Sequence, residues 1–171
     1  MPKRFYRRRT YNRDKYSVEQ TVIVTPSTTN WTLVPSGEGT QSSYQFAKVV
    51  VPESNTEGMR KVKHLQLSFS NAQTATEAYP LIYALVYVPS GYEPNHINHP
   101  DAGSAANVYE PNQYVMSCGV LDFSGGPLRI TCPLSRNLNS GDSIALVLSC
   151  PAAASPSYSY TLACRYAITL Q

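Results

Sequence analysis

Leu81-Ile82-Tyr83-Ala84-Leu85-Val86-Tyr87-Val88 is an almost continuous apolar run, stopped at once by Pro89. A run of this length bounded by a turn residue reads as a strand buried on both faces, and it is expected to be the most buried strand of the chain. Upstream, residues 61–70 change character along their length. Leu65, Leu67 and Phe69 point one way while Gln66, Ser68 and Ser70 point the other, the period-two pattern of a strand with one wet face.

Working outward, strand-like runs recur at residues 18–25, 44–51, 113–122, 128–132, 143–149 and 158–170, separated by Pro, Gly, Asn and Ser. In the first, Val18, Val22 and Val24 share a face. Residues 30–34 read as a short strand or as part of a long connection. Ser124-Gly125-Gly126-Pro127 and Asn139-Ser140-Gly141-Asp142 have the composition of hairpin turns. Helix-period patterns are nearly absent. About eight strands without helical spacers exclude a βαβ sheet and leave an antiparallel sandwich or barrel. The predicted fold is all-β, a single eight-stranded antiparallel jelly-roll sandwich over residues 17–171. Two connections are long, residues 26–43 and 89–111, and loops of that length in a compact domain are usually functional or form interfaces.

Residues 1–16 do not belong to this pattern. The stretch from 3 to 15 reads Lys-Arg-Phe-Tyr-Arg-Arg-Arg-Thr-Tyr-Asn-Arg-Asp-Lys and holds seven basic residues against one acid, a net of +6. The chain as a whole has 14 basic and 11 acidic residues, a net of +3. What remains therefore has seven basic and ten acidic residues, a net of −3. A short cationic arm is joined to a slightly acidic body. The cations Lys3, Arg4, Arg7, Arg8, Arg9, Arg13 and Lys15 suit phosphates, whose counterions they release. The interleaved aromatics Phe5, Tyr6 and Tyr11, with Tyr16 beyond, suit stacking on unpaired bases, at roughly 1–3 kcal/mol per base. The combination points to single-stranded nucleic acid. The same residues are of the type that engages nuclear import machinery. An arm this charged is expected to be disordered until it meets its partner. It contains no apolar run long enough for a signal peptide or a membrane span. A second basic cluster, Arg60, Lys61 and Lys63, is a candidate extension of the nucleic-acid-facing surface.

Only 15% of the chain is charged, against about 25% in an average soluble domain. There are 13 Tyr and 13 Pro. Charge depletion with Tyr enrichment is the composition of surfaces that bury against other subunits. The four cysteines, Cys118, Cys132, Cys150 and Cys164, form no Cys-x-x-Cys pair and fall in or beside apolar runs. They read as buried free thiols rather than zinc ligands. Asn30-Trp31-Thr32 matches a glycosylation acceptor, without a secretory signal to give it meaning.

No catalytic set stands out, and no enzyme activity or cofactor is expected. Three histidines limit general-base chemistry. His96 and His99, with Glu93 and Asp101, have the residue types of a metal site, but they lie on an irregular Pro-bounded loop. A solvated or interface loop is the better reading. Arg136 is expected to pair with an acid such as Asp142 at a strand end. Tyr92-Glu93-Pro94-Asn95 and Tyr109-Glu110-Pro111-Asn112 are similar turns rather than a repeat.

Two stretches carry a family resemblance. The first is Ala84-Leu85-Val86-Tyr87-Val88-Pro89-Ser90-Gly91, followed by Pro94, Ile97-Asn98, Tyr109-Glu110-Pro111-Asn112-Gln113, Val115 and Gly119. The second is Pro127-Leu128-Arg129-Ile130, then Leu134-Ser135-Arg136-Asn137-Leu138-Asn139-Ser140-Gly141-Asp142 and Ile144. Together they resemble the capsid proteins of circovirus-like, Rep-encoding viruses with circular single-stranded DNA. The resemblance covers residues 84–148. It implies a jelly roll that assembles with itself, commonly in sixty copies, into a small T=1 icosahedral shell. Arms would point inward onto a single-stranded DNA genome and loops outward or between subunits. It also implies a virion component assembled in the host nucleus. The arm here is shorter and less Arg-dense than in many circoviruses. An RNA satellite-virus coat protein is a close sibling of this reading. A carbohydrate-binding jelly roll using Trp31 and surface tyrosines explains the strands but not the arm. A metal-dependent jelly-roll enzyme would need His96 and His99.

Overall fold

The computed structural model describes residues 17–24, 29–30, 32–35, 42–71, 81–94, 114–121, 128–150, 157–158 and 160–170. Twelve strands are placed: β1 (Ser17–Val24), β2 (Thr29–Asn30), β3 (Thr32–Pro35), β4 (Ser42–Val51), β5 (Arg60–Asn71), β6 (Leu81–Val88), β7 (Tyr114–Leu121), β8 (Leu128–Cys132), β9 (Arg136–Leu138), β10 (Ser143–Cys150), β11 (Ser157–Tyr158) and β12 (Tyr160–Leu170). No helix occurs among the described residues.

One sheet has the order β1-β12-β5-β8, with β9 on the other end of β5; a second has the order β3-β4-β10-β6-β7; β2 and β11 form a small ribbon. All strand pairs are antiparallel. Set aside β3, the ribbon and β9, and eight strands remain. In chain order these are β1, β4, β5, β6, β7, β8, β10 and β12. The first, eighth, third and sixth lie side by side in one sheet, and the second, seventh, fourth and fifth in the other. That interleaving is the jelly-roll topology: the chain folds as a doubled hairpin wound around the sandwich. The predicted fold is the observed one.

The sandwich interior is filled from both sheets, by Val62, Leu65, Leu67, Phe69, Ile130 and Leu162 from one and by Leu81, Leu85, Ile144, Leu146 and Leu148 from the other. Each such side chain contributes about 1.5–3 kcal/mol by leaving water. β6 is buried along nearly its whole length, and β10 along all of it. Ala84, Val86, Val88, Ala145 and Val147 form a second apolar cluster on the far face of the same two strands. That is why Leu81–Val88 has no polar side. On β7, Gly119 sits under the ring of Tyr83, where a Cβ would come within 2.9 Å of Cε1.

β5 alternates as expected from Leu65 to Phe69, but its first residues obey the opposite parity. Val62 and Leu65 are both buried, three positions apart. The extra residue is taken up at His64, whose φ is +54°, and the register with β12 shifts at the same place, between Arg165 and Ala167. This is a β-bulge, which the alternation alone does not reveal.

The cysteines are free: Cys132, Cys150 and Cys164 are buried, whereas Cys118 is exposed. Cys118 departs from the expectation because β7 ends its sheet and Cys118 lies on the outward side, opposite Ala84.

Candidate nucleic-acid interface

The bulge decides which way the basic cluster of β5 points. Before it, Arg60 and Val62 face the interior; Lys61 and Lys63 face away from it, half-buried, and His64 is exposed. Across the sheet, Lys61 is registered against Thr169 and Asn137, and Lys63 against Ala167. Ala167 in turn is registered against Val18 at the start of β1. Neighbouring strands lie about 4.8 Å apart, so Lys63 stands roughly 10 Å from the point where the chain enters the sheet. The first register pair of β1 is Ser17 with Ile168, and the Ser17 hydroxyl donates to the Ile168 carbonyl oxygen at 3.3 Å. Ser17 therefore stands at the end of the sheet that carries Lys61 and Lys63.

Two further cations share this outward face. Arg165 on β12 is registered against Gln66, and Arg129 on β8 against Ser68; both are exposed. The strands β5, β8, β9 and β12 contain no Asp or Glu, and β1 contains one, Glu19. In the other sheet, β3, β4, β6, β7 and β10 together contain a single charged residue, Lys48. The charge of the sandwich strands is thus gathered on one sheet and is almost wholly positive. Arg129 and Arg165 were not singled out from the sequence because each is an isolated cation in its own run. Only the strand order brings them beside Lys61 and Lys63.

Arg60 has a different placement from its two neighbours. It is 7% exposed and spans the two sheets. Its Nη1 donates to the Pro52 carbonyl oxygen at 3.0 Å and its Nη2 to the Asp142 carbonyl oxygen at 2.9 Å. Around it lies a polar hub that closes this end of the sandwich. The Asp142 carboxylate accepts from the Tyr87 hydroxyl at 2.7 Å, from the Ser90 amide at 3.0 Å and from the Asn139 amide at 2.7 Å. The Arg136 guanidinium carbon lies 4.3 Å from the Tyr87 ring centroid, within cation–π range. Arg136 thus meets Asp142 through Tyr87, which touches both. The two turns that feed the hub need their glycines. Pro89-Ser90-Gly91-Tyr92 closes through the Tyr92 amide to the Pro89 carbonyl at 3.1 Å, with Gly91 at φ +80°, as a type II turn requires. Gly141, at φ +82°, has Ser90 where a Cβ would stand.

The arm residues Lys3, Arg4, Phe5, Tyr6, Arg7, Arg8, Arg9, Tyr11, Arg13 and Lys15 lie outside the described residues, as do Trp31, His96 and His99. Among the described residues, no three His, Cys, Asp or Glu side chains gather as metal ligands. No described helix is long and apolar enough to cross a membrane.

No family model and no curated protein matches the chain. Among solved structures, it is similar to a chain of infectious bursal disease virus, Gx strain, at 8% identity and a TM-score of 0.40, over 91% of this chain and 32% of that one. The chain thus spans about a third of the length of that relative. It is also similar to a chain of Desmodium yellow mottle tymovirus, at 17% identity and a TM-score of 0.37, over 91% of this chain and 87% of that one. A third similarity is to the VP2 subviral particle of infectious bursal disease virus, at 12% identity and a TM-score of 0.23, over 92% and 42% of the two chains. The fold assignment itself rests on the strand order.

Proposed function

We propose that this chain is the coat subunit of a small virus, a jelly roll that assembles with itself into a closed icosahedral shell and packages single-stranded DNA. The observation that carries the reading is the segregation of charge: an arm of net +6 leads into one end of a sandwich whose strands are nearly free of acidic residues. Arm and phosphate attract without sequence choice and concentrate subunits on the genome. The charge-poor remainder of the sandwich then buries against copies of itself. Symmetry repeats each weak contact many times, so modest interfaces suffice for a stable shell.

Large apolar side chains left exposed on the single chain, among them Val49, Val120, Leu134 and Leu170, are the material for such contacts. Residues 1–16 act as the nucleic-acid-binding arm and residues 17–171 as the shell domain. In a sixty-copy T=1 particle the arms supply on the order of 360 positive charges, enough for a few hundred phosphates. A genome of a kilobase or more needs further cations. The virion is the place of action, and the basic arm also serves entry to the host nucleus.

Sedimentation velocity of the purified protein, read at 260 and 280 nm, tests the proposal. A fast, homogeneous boundary rich in 260 nm absorbance is expected, and its nucleic acid should be sensitive to DNase after the shell is opened. Sensitivity to RNase alone would favour an RNA coat protein. A slow monomer or dimer with protein-like absorbance at low and moderate salt would overturn the shell and bring glycan binding forward.

A further inference from the structure

We infer that the outer face of the β1-β12-β5-β8 sheet is itself a phosphate-binding surface for single-stranded nucleic acid, with Arg129 and Arg165 as its principal new contacts. The inference rests on the coat-protein reading for its occupant, and on the geometry of the sheet for its location.

The register lays out the face as a grid. Successive rows are Ala163–Ser68–Arg129, Gln20–Arg165–Gln66–Thr131, Val18–Ala167–Lys63, and Thr169–Lys61–Asn137. Rows are about 6.7 Å apart along the strands and columns about 4.8 Å apart across them. Arg129, Arg165, Lys63 and Lys61 therefore form a zigzag stripe, from β8 to β12 and back to β5, with steps of roughly 7–12 Å, running to the end of the sheet where Ser17 stands. The side chains between them are small or neutral: Ala163, Ala167, Ser68, Gln66, Thr131 and Thr169. No carboxylate from β5, β8, β9 or β12 competes for the arginines. A polyanion laid on this stripe meets cations at every step, and the stripe ends near Ser17, the first described residue.

The chemistry of the two parts is complementary. The stripe rows contain no aromatic residue, so the face reads phosphate and not bases. The arm supplies the rings, in Phe5, Tyr6, Tyr11 and Tyr16. Sequence-independent holding by the sheet and stacking by the arm would divide the work between them. The placement also orients the subunit: the sheet with the stripe turns toward the genome, and the sheet carrying only Lys48 turns away from it.

The test uses the full-length chain and an oligo(dT) probe, titrated over a series of salt concentrations. The slope of log K against log salt is about −0.7 per phosphate neutralised on a single strand. Arg129→Gln with Arg165→Gln should make the slope shallower by about 1.4, and each single variant by about 0.7. Arg129→Lys with Arg165→Lys should restore the parent slope. Lys48→Gln, on the other sheet, should leave it unchanged. A parent-like slope in the double Gln variant, or an equal loss in Lys48→Gln, would overturn the inference. Sedimentation of the same proteins separates this from the coat reading. Shells with an unaltered slope would defeat the face and keep the coat protein. A lost slope in a chain that never forms shells would do the reverse.

Discussion

The hydroxyl of Tyr87, on β6, donates a 2.7 Å hydrogen bond to Oδ2 of Asp142, just before β10. Two adjacent strands of one sheet are thereby joined at their ends by a buried carboxylate. That carboxylate also accepts the amides of Ser90 and Asn139. Asp142→Ala would leave these three donors without their acceptor. A buried unsatisfied donor costs about 1–3 kcal/mol, so a loss of roughly 3 kcal/mol or more is expected in urea unfolding. Tyr87→Phe removes one bond to a charged acceptor and should cost about 1.5–3 kcal/mol. A loss below about 0.5 kcal/mol in Asp142→Ala would mean that water replaces the carboxylate and the hub is not structural.

Arg60 serves two carbonyls 90 residues apart in sequence, at Pro52 and Asp142. A planar fork of donors meets both at once; an ammonium on a flexible stem does not. Arg60→Lys is expected to destabilise by about 1–2 kcal/mol although charge is kept. Thermal unfolding at fixed protein concentration measures it, and an unchanged Tm would refute the bridging role.

Gly141 combines a backbone constraint with a steric one. Its φ of +82° strains any L side chain, and Ser90 occupies the place of a Cβ. Gly141→Ala should cost about 1–3 kcal/mol from the backbone alone, with the collision added. Pairing it with Ser90→Gly should recover the steric part and leave the backbone part. Equal unfolding midpoints for the single and double variants would show that Ser90 yields freely.

The thiols should separate by reactivity. Cys118 is exposed and should alkylate in the folded protein within the time of an ordinary labelling reaction. Cys132, Cys150 and Cys164 are buried and should label only on unfolding. Burial pushes the Cys164 thiol up from the ordinary 9.0 to about 12. The unfolded chain therefore loses this proton first, and stability should fall as pH rises from about 9 toward about 12. The limit is about 1.4 kcal/mol per pH unit from this group. Cys164→Ala should flatten that part of the profile.

β7 ends its sheet and carries no charged residue, with Val120 66% exposed. Edge strands of free-standing proteins usually carry a charge that discourages pairing. On the proposed coat reading, Val120→Lys is expected to lower shell yield severalfold while the Tm of the unassembled subunit stays within a few degrees. Normal shells from this variant would remove β7 from the subunit contacts.

Most of the architecture was legible in the sequence, because burial on one or both faces writes itself as alternation or as an unbroken apolar run. The alternation of residues 65–70 is observed, and Leu81–Val88 is a buried strand, but the expectation that it is the most buried one fails: β10, not β6, is buried along its whole length. The shorter pieces were not legible. β9 has three residues, too few for a period, and residues 30–34 resolve into parts of two strands, β2 and β3. The hub is half legible in the sequence: Arg136 and Asp142 can be linked, whereas Tyr87 reads only as part of a buried apolar run. Arg60 looked like its neighbours Lys61 and Lys63 because a bulge leaves no mark in composition. Arg129 and Arg165 need the strand order, which depends on pairings between residues as far apart in sequence as Ser68 with Arg129 and Gln66 with Arg165.

The positive φ of His64 has a consequence for how the sheet finds its alignment. A long strand with uninterrupted alternation can slide along its partner by two residues and still present the same faces. On β5 the alternation is interrupted: the extra residue at His64 shifts the register with β12 between Arg165 and Ala167. Without the bulge, a strand that kept Leu65 and Leu67 inward would turn Lys61 and Lys63 against the apolar interior. The defect in the pattern is thus what lets a twelve-residue strand keep its leucines dry and its lysines wet.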